Sequence, residues 1–214
     1  MGPDSPIPPY TIDDDLVAGC RENGRPVVRV YRPGSPCVVL GASCRAEVEV
    51  DLDACAAAEI PVRRRAGGGC AVLLDPGDVI VAAAYRARGF VGSARHFARI
   101  SGWLLAGLAQ LGITPAGVQG GSDLALGERK FAGACIHRAG GVLHYSASLL
   151  VAPDLDLMER LLRIPPRTPA YRRGRSHQDF VAPLGAVFAG VTAPWLESQL
   201  RDVLDPAQLT ATSE

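Results

Sequence analysis

The chain contains 214 residues, 48% of them hydrophobic and 21% charged, which is the composition of a folded protein with a substantial core. Its 22 Lys and Arg residues balance its 22 Asp and Glu residues, so no overall charge favours nucleic acid or a membrane as a partner. The six cysteines include no C-x-x-C pair and no zinc-ligand spacing, which indicates reduced thiols and no bound metal.

The N-terminal segment, residues 1–12, is rich in proline and is expected to be flexible or extended. It has neither the basic patch nor the apolar core of a signal peptide, and Pro6 occupies the position where an N-myristoylation site needs Ser or Thr. No apolar stretch is long enough to span a bilayer. These features predict a soluble, cytoplasmic protein.

Hydrophobic periodicity predicts strands and helices that do not alternate regularly. The predicted strands are 26–32, 37–41, one starting at 60, 72–74, 79–85, 124–126, 131–136 and 142–151. The predicted helices are 13–20, 50–58, 93–111, 154–163 and 192–204. Turn residues at 75–78 predict that the strands on either side pair with each other, and glycines at 140–141 predict a hairpin. The order indicates an α/β (α+β) protein with a mixed β-sheet and flanking helices.

Only one of the 22 basic residues is a lysine, Lys130. A chain that uses arginine for general positive charge is expected to keep lysine where a compact ammonium group with three donors is needed. The alternative is a surface lysine that survived by chance.

A glycine loop, residues 63–69, has the sequence Arg-Arg-Arg-Ala-Gly-Gly-Gly. Glycines let backbone N–H groups approach an anion, and arginines offer bidentate bonds to phosphate or carboxylate. Neither G-x-x-x-x-G-K-[ST] nor G-x-G-x-x-G occurs, so a nucleotide would need another architecture. The alternative is a solvated surface turn.

A second candidate is the predicted hairpin at 121–134. It places Asp123 and Lys130 on adjacent antiparallel strands, where their charges can meet. The side chains at 132–134 are small and leave room for a ligand against the strand. The alternative is a surface ion pair, which contributes at most about 1 kcal/mol.

Two further segments contain polar side chains in suggestive positions. The strand at 143–151 has His144, Ser146 and Ser148 on one face, which suits either a pocket wall or solvent. The basic segment, residues 167–177, suits either an anion site or a solvated connection.

Taken in order, these segments resemble the catalytic domain of the biotin/lipoate protein ligase superfamily, nearest to the lipoate–protein ligase A family. That family's Arg-Arg-x-x-Gly-Gly-Gly loop is matched at 63–69 and its Asp-Leu…Gly-x-Arg-Lys hairpin at 123–130. Its His-His-Gly-Thr-Leu-Leu strand is matched loosely at 144–150. The resemblance implies a catalytic domain at 13–185, followed at 186–214 by a linker and one helix rather than a full accessory domain.

The resemblance implies a fold like the class II synthetase core and an ATP-dependent lipoate–protein ligase. Such an enzyme joins lipoate, or a similar medium-chain acid, to ATP as an acyl-adenylate, with Mg²⁺ bridging the phosphate oxygens. It then transfers the acyl group to a lysine of a lipoyl-carrier domain. The implied catalytic residues are Lys130 and Asp123. The implied binding residues are Arg64, Arg65, Gly67, Gly68, Gly69, Gly133, Ala134, His144 and Ser148, and no protein side chain is expected to hold a metal.

The chain departs from that family in ways that leave alternatives open. Ser122 replaces the usual Asn, and Ser146 and Ala147 replace a His-Gly pair. The short C-terminal region implies either a separate accessory subunit or chemistry without adenylation.

An octanoyl- or lipoyltransferase of the same fold would use a cysteine thioester instead of ATP. The chain has Ile164-Pro165-Pro166 where that family places its cysteine, which leaves Cys135 and Cys70 as the thiols near the site. A non-catalytic ligand-binding module is a further alternative, although it would have little reason to keep the one lysine. A biotin ligase would need a Gly-Arg-Gly-Arg-x-Gly loop, which is missing.

Overall fold

The structure, a computed structural model, describes residues 6–87 and 92–209. Within these residues nine strands occur, in chain order β1 (Val27–Tyr31), β2 (Cys37–Leu40), β3 (Val62–Arg64), β4 (Val72–Leu74), β5 (Asp78–Arg86), β6 (Gly117–Gln119), β7 (Asp123–Leu126), β8 (Arg129–Ala139) and β9 (Val142–Leu150). The helices in the same residues are α1 (Asp14–Asn23), α2 (Ala46–Glu49), α3 (Leu52–Ala57), α4 (Ser93–Gln110), α5 (Leu155–Leu161), α6 (His177–Phe180), α7 (Leu184–Val187) and α8 (Ala193–Val203). Two short 3₁₀ turns cover Ala170–Arg172 and Pro206–Leu209.

Six of the strands form a large antiparallel sheet in the order β1-β5-β9-β8-β7-β6. Strands β8 and β9 form the predicted hairpin, which turns at two glycines with positive φ, Gly140 and Gly141. Their register pairs Gly133 with Ser148. Because side chains alternate across a strand, this register decides which side chains share each face of the sheet.

The other three strands form a small sheet in the order β3-β2-β4, with β2 parallel to β3 and antiparallel to β4. The predicted pairing of the strands around residues 75–78 is therefore wrong. A turn does close there, with the amide of Asp78 donating to the carbonyl of Asp75 at 2.9 Å, but it directs the chain from one sheet into the other. The prediction of mixed sheets with flanking helices is confirmed.

Helices α4 and α8 cover one face of the large sheet and enclose the main core. The predicted helix at 93–111 is observed as α4, and its Ile100, Leu104 and Leu108 are fully buried. They pack against alternate side chains of the central strands, including Val81 and Tyr145. This face of the sheet is therefore structural, and the opposite face is left for other contacts.

The C-terminal helix α8, part of the linker and helix expected at 186–214, packs into the same core. Leu196 and Leu200 of α8 are fully buried in the main core, and the side chain of Thr192 caps the helix by accepting from the amide of Trp195. Truncating such a leucine to alanine typically costs about 2–5 kcal/mol of folding free energy. Residues 210–214 lie outside the described part of the chain.

The part of the N-terminal segment that the structure describes runs extended beside β3. The amide of Arg64 donates to the carbonyl of Pro8 at 2.9 Å, and the amide of Tyr10 donates to the carbonyl of Arg64 at 2.8 Å. Residues 8–10 therefore border the small sheet, and a turn at residues 11–14 leads from them into α1. No helix among the described residues combines the length and the apolar composition that crossing a membrane requires.

Candidate active site

A cavity of about 750 Å³ lies between the two sheets. Its walls come from β2 and β4 of the small sheet, from β5, β8 and β9 of the large sheet, and from the basic segment. Volumes of this size are typical of sites for small molecules and cofactors. The implied site residues that line it are Asp123, Lys130, Arg65, Gly67, Gly69, Gly133, Ala134, His144 and Ser148.

The floor of the cavity is the polar face of the β8–β9 hairpin. His144, Ser146 and Ser148 all line the cavity, whereas Tyr145 and Ala147 between them are buried in the main core. The alternation predicted for this strand is therefore confirmed, and its polar face points to the cavity.

Lys130 and Asp123 form an ion pair at one end of the cavity, with 2.8 Å between Lys130 Nζ and Asp123 Oδ1. The two side chains are 24% and 12% exposed, so the pair is partly withdrawn from water. A Cβ atom on Gly133 would lie 2.8 Å from Lys130 Nζ, so the missing side chain gives the ammonium group room to cross the strand. The predicted cross-strand pair is present, and it lies in a cavity.

Tyr171 holds the second oxygen of the same carboxylate. Its hydroxyl donates to Asp123 Oδ2 at 2.8 Å. Burial, together with the Asp123 carboxylate, raises the pKa of Tyr171 above its ordinary value, so the phenol keeps its proton at neutral pH. Asp123 is thereby fixed from two sides, by an ammonium group and by a neutral hydroxyl group.

The arginines of the glycine loop bind the protein's own backbone. Arg64 donates to the carbonyls of Gly41 and Cys44, both at 2.9 Å. Arg65 donates to the carbonyls of Val39 at 2.9 Å, Gly68 at 2.8 Å and Cys70 at 2.8 Å. The guanidinium groups therefore shape the loop.

Arg64 and Gly68 are not among the residues that line the cavity, and their contact with a ligand stays a prediction. Arg64 is turned toward the carbonyls of the turn that follows β2, and its charge-assisted bonds stabilise that turn. A Cβ atom on Gly68 would meet nothing within 4 Å, so this glycine faces open space.

A buried carboxylate supports the glycine loop from below. Glu49 is 6% exposed, and its Oε2 accepts from the amide of Ala71 at 2.8 Å. Cys44 Sγ lies 3.2 Å from the same oxygen and 3.1 Å from the carbonyl of Gly69. Burial and the neighbouring Glu49 raise the pKa of Cys44 to about 11, so its thiol keeps its proton and donates to these acceptors.

Five residues of the basic segment line the cavity without being among the implied site residues, and two of them, Arg172 and His177, are buried. Arg172 is 5% exposed and His177 is 8% exposed. Burial lowers the pKa of His177, although its ring and amide both contact Glu159 Oε2, at 3.0 and 2.9 Å. Composition identified the segment as basic but could not indicate which of its arginines would be buried.

The far end of the cavity is also polar. His144 Nε2 lies 3.6 Å from Asp13 Oδ2, and Asp13 in turn accepts a hydrogen bond from the hydroxyl of Tyr31 at 3.3 Å. Asp13 is 6% exposed. His144 is therefore positioned by α1 and β1, away from the Lys130–Asp123 pair.

Two cysteine side chains, Cys70 and Cys135, face the cavity. Burial raises the pKa of both thiols above the ordinary value, despite the partial opposing effect of nearby cations. A protonated thiol is a poor nucleophile. In the described residues, no group of three His, Cys, Asp or Glu side chains has an arrangement that could hold a metal ion.

Comparison with known proteins identifies a family of catalytic domains that this chain matches. The family model described as the lipoyl protein ligase A/B catalytic domain matches residues 6–204. Octanoyltransferase LipM of Symbiobacterium thermophilum is 30% identical over 192 residues, which cover 78% of this chain and 69% of the relative. Across four relatives with curated names, the chain spans 37% to 69% of the relative's length.

Two solved structures share the fold at higher coverage. A crystal structure of lipoate-protein ligase A bound with ATP has a TM-score of 0.73 and 25% identity, over 90% of this chain and 74% of that chain. A bi-partite lipoate protein ligase of Thermoplasma acidophilum, from a study of that ligase and its E2 lipoyl domain, has a TM-score of 0.72 and 26% identity, over 92% and 77%. This protein therefore belongs to the lipoyl protein ligase A/B catalytic domain family, which is part of the biotin/lipoate protein ligase superfamily.

Proposed function

We propose that this protein is a lipoate–protein ligase. It activates lipoate, or a similar medium-chain acid, with ATP, and transfers the acyl group to a lysine side chain of a lipoyl-carrier domain. The observation that carries the proposal is the Lys130–Asp123 ion pair, which is fixed at 2.8 Å at one end of a cavity of about 750 Å³. Both the size of the cavity and the ammonium group fit a phosphorylated acyl ligand.

The first step forms an acyl-adenylate. A carboxylate oxygen of the acid bonds to the α-phosphorus of ATP, and pyrophosphate leaves with the electrons of the broken bond. Negative charge increases on the phosphate oxygens, and a pre-positioned ammonium group in a partly desolvated site stabilises it. Lys130 supplies that group, and Mg²⁺ brought by the nucleotide would neutralise further negative charge.

The second step consumes the adenylate. The amine of the carrier lysine attacks the acyl carbonyl carbon, an amide bond forms, and AMP leaves. The attacking nitrogen must lose a proton, and the Asp123 carboxylate is the group beside Lys130 that can orient the amine or accept that proton. Tyr171 keeps the carboxylate in place during this exchange.

The apolar part of the acid has a matching surface. Val39, Leu74 and Ile80 line the same cavity and form a cluster between the sheets. An acyl chain of medium length would bury its methylene groups there, each contributing roughly 0.8 kcal/mol. Ligase chemistry is further supported by the ATP bound in a structure that is 25% identical.

The partners that the proposal implies are a lipoyl-carrier domain as acceptor and a separate accessory subunit. The similar Thermoplasma protein is described as a bi-partite ligase, which supports an accessory subunit for this chain as well. Adding such a subunit is expected to accelerate the first step and to leave the second step unchanged.

The direct test is to incubate the protein with ATP, Mg²⁺ and lipoate and to look for lipoyl-adenylate by mass spectrometry. We expect a product that requires both ATP and lipoate. Absence of the adenylate, both alone and with an accessory subunit and a carrier domain present, would refute the proposal.

Octanoyl transfer is the second candidate, because a relative with that name is 30% identical and two thiols face the cavity. This chemistry needs a thioester between the octanoyl group and Cys70 or Cys135, formed from an octanoylated carrier without ATP. An acid-quenched reaction analysed by intact-protein mass spectrometry would reveal the added octanoyl group. Its presence, with no adenylate formed, would favour the transferase.

A further inference from the structure

Arg172 is a buried cation at the cavity, and one nitrogen of its guanidinium group has no partner in the protein. The residue is 5% exposed and lines the cavity together with Lys130 and Asp123. Its Nη2 atom is buried and has no hydrogen-bond partner. Leaving a buried charged donor unsatisfied costs more than about 1–3 kcal/mol, so such a group calls for an explanation.

The contacts that Arg172 does make fix its position without neutralising it. Nε donates to the carbonyl of Arg175 at 2.9 Å, and the guanidinium group lies 5.0 Å from the centre of the Phe180 ring. Among the described residues it forms no direct ion pair: Glu159 and Asp123 are near enough to act on its charge, but their direct partners are His177 for Glu159, and Lys130 and Tyr171 for Asp123.

The backbone of the basic segment separates Arg172 from its neighbour. Arg173 has a φ of 51°, in the left-handed region that non-glycine residues rarely adopt. Its side chain is exposed and pairs with Glu128 at 2.6 Å, outside the cavity. The local strain is consistent with a segment shaped to direct one arginine inward and the next outward.

The arginines of the glycine loop do not offer the same free donor. Arg64 and Arg65 direct their guanidinium groups at backbone carbonyls of the protein. Arg172 differs from both, because its Nη2 is a buried nitrogen without an acceptor in the protein.

We propose that Arg172 forms an oxyanion subsite that binds a negatively charged oxygen of the ligand, either a phosphate oxygen of a nucleotide or the carboxylate of the acid. A guanidinium group that is already ordered by Phe180 and by the carbonyl of Arg175 binds such an oxygen with little loss of side-chain entropy. The identity of the ligand rests on the proposed function, but the existence of the subsite does not.

The test compares Arg172→Met with the matched control Arg173→Met. Methionine keeps the apolar contact over Phe180 but removes the charge, and the control removes the exposed neighbour that pairs with Glu128. Calorimetry would measure the Kd of four probes for each variant and for the wild type: ATP with Mg²⁺, adenosine, octanoate and octanol. Far-UV circular dichroism and thermal melting would establish that each variant is folded.

We expect Arg172→Met to weaken ATP or octanoate binding by about tenfold or more, the loss expected for one hydrogen bond to a charged group. Binding of the uncharged partner, adenosine or octanol, should be unchanged, as should all four affinities in Arg173→Met. Weakened ATP binding identifies a phosphate subsite, and weakened octanoate binding identifies a carboxylate subsite. If Arg172→Met is unfolded, Arg172→Gln is the second variant: it keeps a polar side chain but removes the charge, and the same loss of anion affinity, about tenfold or more, is expected.

The outcomes separate this inference from the proposed function. Wild-type affinity for ATP and octanoate in Arg172→Met would overturn the subsite and leave the ligase proposal intact. Octanoate binding that depends on Arg172, in a wild-type protein that does not bind ATP, would support the subsite and contradict the ligase. A wild-type protein that binds neither anion would contradict both.

Discussion

The glycine loop and the basic segment both place arginines next to the same cavity, yet they use them in different ways. In the glycine loop, Arg64 and Arg65 are bound to backbone carbonyls of the protein. Across the cavity, Lys130 is held by one carboxylate and Arg172 has a nitrogen with no partner. The arginines of the glycine loop therefore stabilise the backbone around the cavity, whereas Lys130 and Arg172 keep donors for a ligand.

This difference shows that a motif rich in arginine and glycine does not by itself identify the residues that contact a ligand. A guanidinium group has five donors, and a loop without regular secondary structure has many carbonyls that need them. Where the loop carbonyls take the donors, the arginine is a structural residue. We therefore expect substitutions around Lys130 to reduce activity more than substitutions in the glycine loop.

The largest effect is expected for Lys130→Arg. The guanidinium group is broader than an ammonium group and its donors point in fixed directions, so it cannot replace Lys130 beside Gly133. Removing one such electrostatic contact costs about 10²–10³ in rate, or roughly 3–4 kcal/mol. We expect at least about a hundredfold loss of acyl transfer to a carrier domain, with an unchanged Tm.

The control for this variant is Arg173→Lys, a swap in an exposed ion pair that should be nearly neutral. Full activity in Lys130→Arg would mean that the lysine supplies only general charge, and the account of the site would fail.

A smaller loss is expected for Gly133→Ala, compared with Gly68→Ala. A Cβ atom at position 133 would lie 2.8 Å from Lys130 Nζ and 3.1 Å from Cε, so the ammonium group must move while the fold is kept. Since a displacement of about 1 Å at a reacting centre can cost a hundredfold, we expect a loss of roughly ten- to a hundredfold. Gly68→Ala meets nothing within 4 Å and should be silent. Equal losses of activity in Gly133→Ala and Gly68→Ala, measured by steady-state kinetics, would contradict the difference between the hairpin around Lys130 and the glycine loop.

Tyr171→Phe removes the hydrogen bond to Asp123 Oδ2 and leaves the ion pair with Lys130 in place. We expect kcat for acyl transfer to fall about tenfold, the lower end of the range for a hydrogen bond to a charged group. Because Tyr171 acts through Asp123, KM for the acid should change little. A change in KM alone would assign Tyr171 to substrate binding instead.

The smallest effect is expected for Cys135→Ser. Burial raises the pKa of the thiol, so the thiolate is a minor form at neutral pH and becomes more common as pH rises. We expect activity within about twofold of the wild type, because the serine hydroxyl is similar in size to the thiol and no step of the ligase reaction uses Cys135. Alkylation of Cys135 by iodoacetamide should be slow at pH 7 and faster at pH 9. Loss of activity together with a trapped thioester in the wild-type protein would shift the assignment to the transferase.

The sequence predicted much of the fold because local signals set most of the elements. Helix α4 followed from helical spacing, and the Asp123–Lys130 pair from a tight turn between two short strands. The strand partners around residues 75–78 could not be predicted, because a turn specifies a reversal of the chain but not the sheet that it enters.

The site was predicted less completely than the fold. The motif placed Arg64 among the binding residues, and nothing in the sequence indicates that its guanidinium group binds the carbonyls of Gly41 and Cys44, 23 and 20 positions away. Arg172 was missed because the basic segment offers several similar arginines, and its burial depends on packing against Phe180. Such contacts exist only after the chain has folded.

The most direct measurement of the central claim is single-turnover transfer from synthetic lipoyl-adenylate to a lipoyl-carrier domain, which bypasses the activation step and any accessory subunit. The account predicts rapid amide formation and release of AMP by the wild-type protein, and at least about a hundredfold slower transfer by Lys130→Arg. The result that would contradict this claim is a wild-type protein that does not react with lipoyl-adenylate. Such a protein would instead transfer an octanoyl group from an octanoylated carrier through a thioester at Cys70 or Cys135.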